Sequence, residues 1–75
     1  MPLLKDFGSF HIRMYFRDHN PPHVHVVSAD ETVLIGIADG AILRGTIRTA
    51  SLREAQDWIA GNRDVLLAKW MEFQQ

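Results

Sequence analysis

The hydrophobic period of this chain changes once, and that change limits the fold more than any motif does. Ile12, Met14 and Phe16 alternate with His11, Arg13 and Tyr15, and Val24 and Val26 alternate with His23 and His25. A period of two is the pleat of a half-buried strand. Beyond position 50 the apolar residues fall instead at Leu52, Ala55, Ile59, Leu66, Trp70 and Phe73, which is the spacing of one helical face. Strands followed by helix predict an α+β domain in which the helix covers one face of an antiparallel sheet.

Turn chemistry divides the first part. Ser28 to Glu31 separates the second strand from the apolar run at 32–37, and Asp39-Gly40 separates that run from Ala41 to Ile47. Asp-Gly between two apolar runs is a strong hairpin signal, because glycine accepts the positive φ of a tight turn. The expectation is a four-stranded meander over about 10–48. Ser51-Leu52-Arg53-Glu54 fits a capping box at the start of a helix over about 52–73. Gly61-Asn62 interrupts it, but Ile59 and Leu66 keep the stripe in phase, so one long helix bent at that point is predicted. Trp58 and Trp70 are expected to anchor it to the sheet.

The 75 residues make one domain, 1–75. With 47% hydrophobic and 23% charged residues the chain has the composition of a packed domain rather than a disordered tail. A formal charge of −1 carries no whole-chain signature of a nucleic-acid or membrane binder, so any basic surface must be local. The absence of cysteine excludes a disulfide staple, a redox thiol and a thiolate-bound zinc. No apolar run approaches the roughly 20 residues of a membrane span, and the N-terminal residues lack the pattern of a signal peptide. A cytoplasmic protein with no membrane partner is expected.

The chemistry concentrates in the stretch RDHNPPHVHV, residues 17–26, which holds three of the four histidines within seven positions. On a pleated strand His11, Arg13, Tyr15, His23 and His25 share the face away from the helix. The same alternation puts Leu43 and Ile47 inward, with Ile42, Arg44, Thr46 and Arg48 outward. Asp18, His19, Asn20 and the two prolines form the rim, where Pro21 and Pro22 keep the linker out of the ladder. The spacing of His23 and His25, with His19 nearby, permits a metal site. No recognised zinc signature is present, so no metal and no other cofactor is expected. General acid/base chemistry is the second option: His23 and His25 as base and acid, Arg13 on a developing phosphorane charge, and Tyr15 orienting the substrate. Binding without chemistry is the third, with His11, His19, Asn20, Arg44 and Arg48 adding contacts. A protein partner is the first expectation, RNA or DNA the second, and exposed strand edges leave room for a homo-oligomer.

Asp18-His19-Asn20-Pro21-Pro22-His23-Val24-His25-Val26, preceded by Met14-Tyr15-Phe16 and followed by a glycine-containing strand pair and a helix reaching Lys69-Trp70, resembles the small bacterial proteins of domain of unknown function 4160. The likeness runs from about Ile12 to Trp70. Where that family's helix carries a Trp followed by His-Arg, this chain has Trp58 and then Asn62-Arg63. The resemblance implies a compact meander-plus-helix protein, encoded in small operons of toxin–antitoxin type, and brings no activity with it. The expected function is an interaction module using the His/Arg/Tyr face; the alternative is a small metal-independent ribonuclease-like effector using the same residues.

Overall fold

The computed structural model describes residues 3–75. Five strands, β1 (Leu3–Asp6), β2 (Phe10–Arg13), β3 (His23–Ser28), β4 (Thr32–Gly36) and β5 (Ile42–Gly45), form one antiparallel meander in the order β1-β2-β3-β4-β5. Two helices follow, α1 (Thr49–Gly61) and α2 (Arg63–Phe73). The α+β class and the antiparallel sheet are as the sequence predicts; the expected four strands and single helix are not. No helix among the described residues is long and apolar enough to cross a membrane.

The additional strand is β1, which pairs with β2 through a short turn. In that turn Asp6 Oδ1 accepts the Gly8 N–H at 2.8 Å, and Phe7 stacks on Phe10 at 4.6 Å. Only Leu4 of its four residues is partly buried, so β1 presents no alternation from which it could be read. The turns predicted at Ser28 to Glu31 and Asp39-Gly40 do join successive strands. Ser28 Oγ accepts the Glu31 N–H at 3.1 Å, and Asp39 Oδ1 accepts the Ala41 N–H at 3.0 Å.

One face of the sheet meets the helices. Phe10, Ile12, Val24, Val26, Val33 and Ile35 lie beneath Ala55, Ile59, Leu66 and Trp70, all with almost no exposure. Each fully buried aliphatic or aromatic side chain contributes about 1.5–3 kcal/mol, so this layer carries the stability of a chain without a disulfide. Arg63 Nε donates to the Ile37 carbonyl at 3.1 Å and Gln56 Nε2 to the Gly40 carbonyl at 2.7 Å, fixing the helices to the far end of β4.

Three expected positions are overturned. Phe16 is not inward: β2 ends at Arg13, and Phe16 lies 58% exposed with its ring 4.6 Å from Phe73. Arg17, at φ 54°, then turns the chain and donates its N–H to the Phe73 carbonyl at 3.0 Å. Leu43 is not inward either. Leu34 pairs with Arg44 and Ile35 with Ile42, so Leu43 is the extra residue of a β-bulge that resets the alternation of β5. Ile42 is therefore carried to the helix side, opposite Ile35, where it remains 48% exposed at the sheet edge.

The helix boundaries also differ. α1 begins at Thr49, Ser51 is buried inside its first turn, and no side-chain cap bond forms at its start. The capping box at Ser51 is thus not used. Instead the Arg48 N–H donates to Glu31 Oε1 at 3.1 Å, placing a carboxylate at the amino end of α1, where the helix dipole favours it. A partner seventeen residues away is invisible to a local motif. At the other end Asn62, at φ −127° and ψ 19°, breaks the helix, and its Nδ2 donates to the Trp58 carbonyl at 2.8 Å. Ile59 and Leu66 both stay buried across the break, which is why their spacing alone reads as one continuous helix.

Gly40 and Gly45 separate two costs of a side chain. Both have positive φ, 71° and 85°, but a Cβ on Gly40 meets nothing, whereas one on Gly45 would run into the Thr32 carbonyl. Gly40→Ala should lose about 1–2 kcal/mol of unfolding free energy from backbone conformation alone, and Gly45→Ala about 3 kcal/mol or more. Urea unfolding of the two variants checks this, and equal losses would contradict the close approach of β4 and β5.

Candidate functional site

The connection from β2 to β3 folds back over the start of β3. After Met14, buried in the core, the reversal at Arg17 directs Asp18 toward the sheet, and the Pro22 carbonyl accepts the Ile37 N–H at 3.1 Å. The Asn20–Pro21 peptide bond is cis. Asp18 thereby becomes the centre of a histidine cluster. Its Oδ2 lies 3.0 Å from both His23 Nε2 and His25 Nε2, and its Oδ1 lies 3.0 Å from His19 Nδ1. The His19 N–H donates to Oδ1 at 2.9 Å.

Burial by itself would raise the Asp18 pKa. The hydrogen bond to His25, the His19 N–H and the charges of His23 and His25 outweigh it and hold the carboxyl below its ordinary value. The neighbouring rings complete the packing: His23 sits 5.1 Å from His25 and 5.4 Å from His19, and Tyr15 meets His25 edge-on at 4.3 Å.

His23 departs from its expected outward position. It is 1% exposed, because the first residue of β3 lies opposite Gly36, which has no side chain, beneath the Asp18 loop and 5.2 Å from the Trp70 ring of α2. His23 Nδ1 lies 2.7 Å from the Pro21 carbonyl oxygen and serves as the donor to it. Nε2, despite its proximity to Asp18, makes no hydrogen bond. Strand alternation locates a residue on a face but cannot register a loop folded over that face, nor Trp70 from a distant helix.

The other predicted residues assemble as a row across the helix-free face. Cross-strand pairing joins Leu3 with Arg13, Arg13 with His25, His25 with Leu34, and Leu34 with Arg44. Paired residues of an antiparallel sheet point to the same side, so Arg13 and Arg44 flank His25 and Leu34. Leu34 was not singled out by the sequence, because its run is apolar throughout. His11 lies in the next row, between Asp6 and Val27. His19 and Asn20 are exposed on the loop, and Arg48 lies past β5 at the start of α1, outside the row.

Charge is segregated in a way the total conceals. β2 to β5 contain no Asp or Glu, so the nine acidic residues of the chain lie in β1, the connections and the helices. The shallow concavity lined by residues 60–65 at the helix junction contains none of the predicted histidine or strand residues.

Residues 9–71 match the family model described as Domain of unknown function (DUF4160), and the chain belongs to that family. No curated protein and no solved structure matches the chain.

The burial difference between the two strand histidines has a direct consequence for stability. His23→Ala removes a buried, hydrogen-bonded ring packed on Trp70 and should cost about 2–4 kcal/mol, while His25→Ala, at the partly exposed edge of the cluster, should cost about 1 kcal/mol. Urea unfolding measures both, and a His23→Ala variant as stable as the parent chain would mean that the ring is not enclosed.

Proposed function

We propose that this chain is an interaction module whose helix-free sheet face binds an anionic strand, with single-stranded RNA as the partner. The observation that carries this reading is the row Arg13, His25, Leu34 and Arg44, one residue from each of four adjacent strands. With strands about 4.8 Å apart, three steps set the two arginines about 14 Å from each other, a separation that lets each contact a different phosphate of one strand. Tyr15 and His25 between and beside them offer aromatic surface for unstacked bases, the means by which open sheets hold single-stranded RNA.

Two further features support the reading. The four strands that supply the row carry no carboxylate, so a phosphate on it meets no like charge from those strands. Arg13 has no salt bridge among the described residues, and its Nε is buried without a hydrogen-bond partner. The guanidinium charge of Arg13 is therefore not neutralised by an ion pair within the chain, which leaves it available to a phosphate.

A protein partner is the second reading, favoured by β5. Ile42 and Leu43 on this edge strand are 48% and 43% exposed, and an exposed apolar edge invites pairing with another chain. A toxin–antitoxin operon, the context that the family resemblance implies, would supply such a partner. The ribonuclease-like alternative is weaker on this geometry. Its second imidazole, His23, is enclosed with Nδ1 committed to Pro21, which leaves His25 without an accessible acid/base companion in the strand.

Anisotropy of a labelled single-stranded RNA titrated with the untagged chain tests the proposal. Binding should appear at low salt and weaken as salt rises, with the double variant Arg13→Ala/Arg44→Ala reducing the salt slope by about two and the affinity by about tenfold or more. No association of the parent chain at low salt would refute the RNA reading and leave the β5 edge and a protein partner. Cleavage with a bell-shaped pH profile that disappears in His25→Ala would favour the ribonuclease instead.

A further inference from the structure

The Asp18 cluster contains more than a well-bonded turn requires. Asp18, His23 and His25 each offer one ligand atom, and these atoms all lie within 4.8 Å of one another. Both Nε2 atoms are 3.0 Å from the same carboxylate oxygen. A tetrahedral ion with ligands at about 2.0–2.1 Å separates them by about 3.3 Å, so the three atoms need only small side-chain adjustments to close on a single ion.

His23 supplies an independent observation. It is 1% exposed, and its Nε2 has no hydrogen-bond partner. With Nδ1 donating to the Pro21 carbonyl, Nε2 is the ring nitrogen left on the Asp18 side, 3.0 Å from Oδ2. A cation bound by both atoms would supply the partner that His23 Nε2 lacks. The same arrangement, an outer ring nitrogen donating to a backbone carbonyl while the inner one faces the site, is how metal-ligating histidines are fixed in tautomer and orientation. At His25 the equivalent contact to Asp18 is a hydrogen bond, whose proton a metal ion would replace.

We propose that Asp18, His23 and His25 form a binding site for a divalent transition-metal ion of the zinc type. Two imidazole nitrogens and one carboxylate oxygen, without a thiolate, suit zinc and its neighbours better than the all-oxygen shells of calcium or magnesium. The side chains of Asp18 and His25 keep 14% and 16% exposure, so the remaining coordination positions open to water. The ion ties the β2–β3 connection to the first turn of β3. His19, 78% exposed and resting on the other carboxylate oxygen, stands outside the site. The absence of a recognised zinc signature in the sequence does not argue against this set, because Asp18 joins it only through the reversal at Arg17. The site does not rest on the RNA reading.

The test uses the untagged full chain, freed of metal and titrated with Co²⁺ and then Zn²⁺. A saturable visible d–d absorption at one ion per chain is expected, bleached by Zn²⁺, together with a Zn²⁺-dependent rise in melting temperature that a chelator reverses. His25→Ala and Asp18→Asn, each checked for a native circular dichroism spectrum, should lower Co²⁺ affinity by at least about tenfold. His23 is too deeply buried for its removal to be informative. Should either of the two variants fail to fold, the parent chain's cobalt spectrum still decides the matter. No saturable spectrum in the parent chain, or undiminished affinity in both folded variants, overturns the site.

Discussion

A chain of 75 residues without cysteine depends on one contact, between the apolar face of its sheet and two short helices. Ile12, Val24, Val26, Val33 and Ile35 have no measurable exposure, nor have Ala55 and Ile59 above them. Small domains bury a smaller share of their surface than large ones, so little of this layer can be given up. The consequence is a division of labour between the faces. The core side is apolar apart from the buried Ser51 of α1, and the histidine cluster and the Arg13 and Arg44 side chains lie on the helix-free face and at the connection that folds over its end.

That connection turns an ordinary meander into one with a site. A sheet of this size would leave the start of β3 open at its end. Here the reversal at Arg17, held by the Phe73 carbonyl, brings Asp18 over His23 while Trp70 closes the opposite side. The C-terminal turn of α2 therefore helps to position Asp18, and through it His25. Packing at the end of the chain and polar geometry near its middle are parts of one arrangement.

How much of this was legible follows from the range of each signal. The alternation of Ile12, Val24 and Val26 and the helical stripe through Ala55, Ile59 and Leu66 are local patterns, and they placed the core correctly. The Asp39-Gly40 turn is likewise a matter of adjacent residues. What local pattern could not show was any feature made by distant partners. Glu31 replaces the Ser51 cap from the β3–β4 turn, Trp70 encloses His23 from α2, and the bulge at Leu43 resets the phase of β5. β1 escaped because its alternation is too short and polar, and the break at Asn62 because the stripe remains in phase across it. Arg13, His25 and Arg44 were legible as outward residues, but their alignment in one row depends on strand register, which the sequence does not state.

His25 belongs to both arrangements on the helix-free face, and this couples them physically. It lies opposite Arg13 and Leu34 on the neighbouring strands, and its Nε2 is hydrogen-bonded to Asp18. In the metal-free cluster the Asp18 carboxylate contributes negative charge at the rim of strands β2 to β5, which themselves carry no carboxylate, and this opposes the approach of phosphate. A divalent ion held by Asp18, His23 and His25 would reverse the sign of that local charge and lock the His25 ring in place beside Tyr15. The face between Arg13 and Arg44 would then be more positive and less mobile than the same face without the ion. In a protein with a net charge of only −1, whole-chain charge gives no long-range attraction for an anionic strand, so the sign of the local charge at this rim bears directly on whether phosphate can approach.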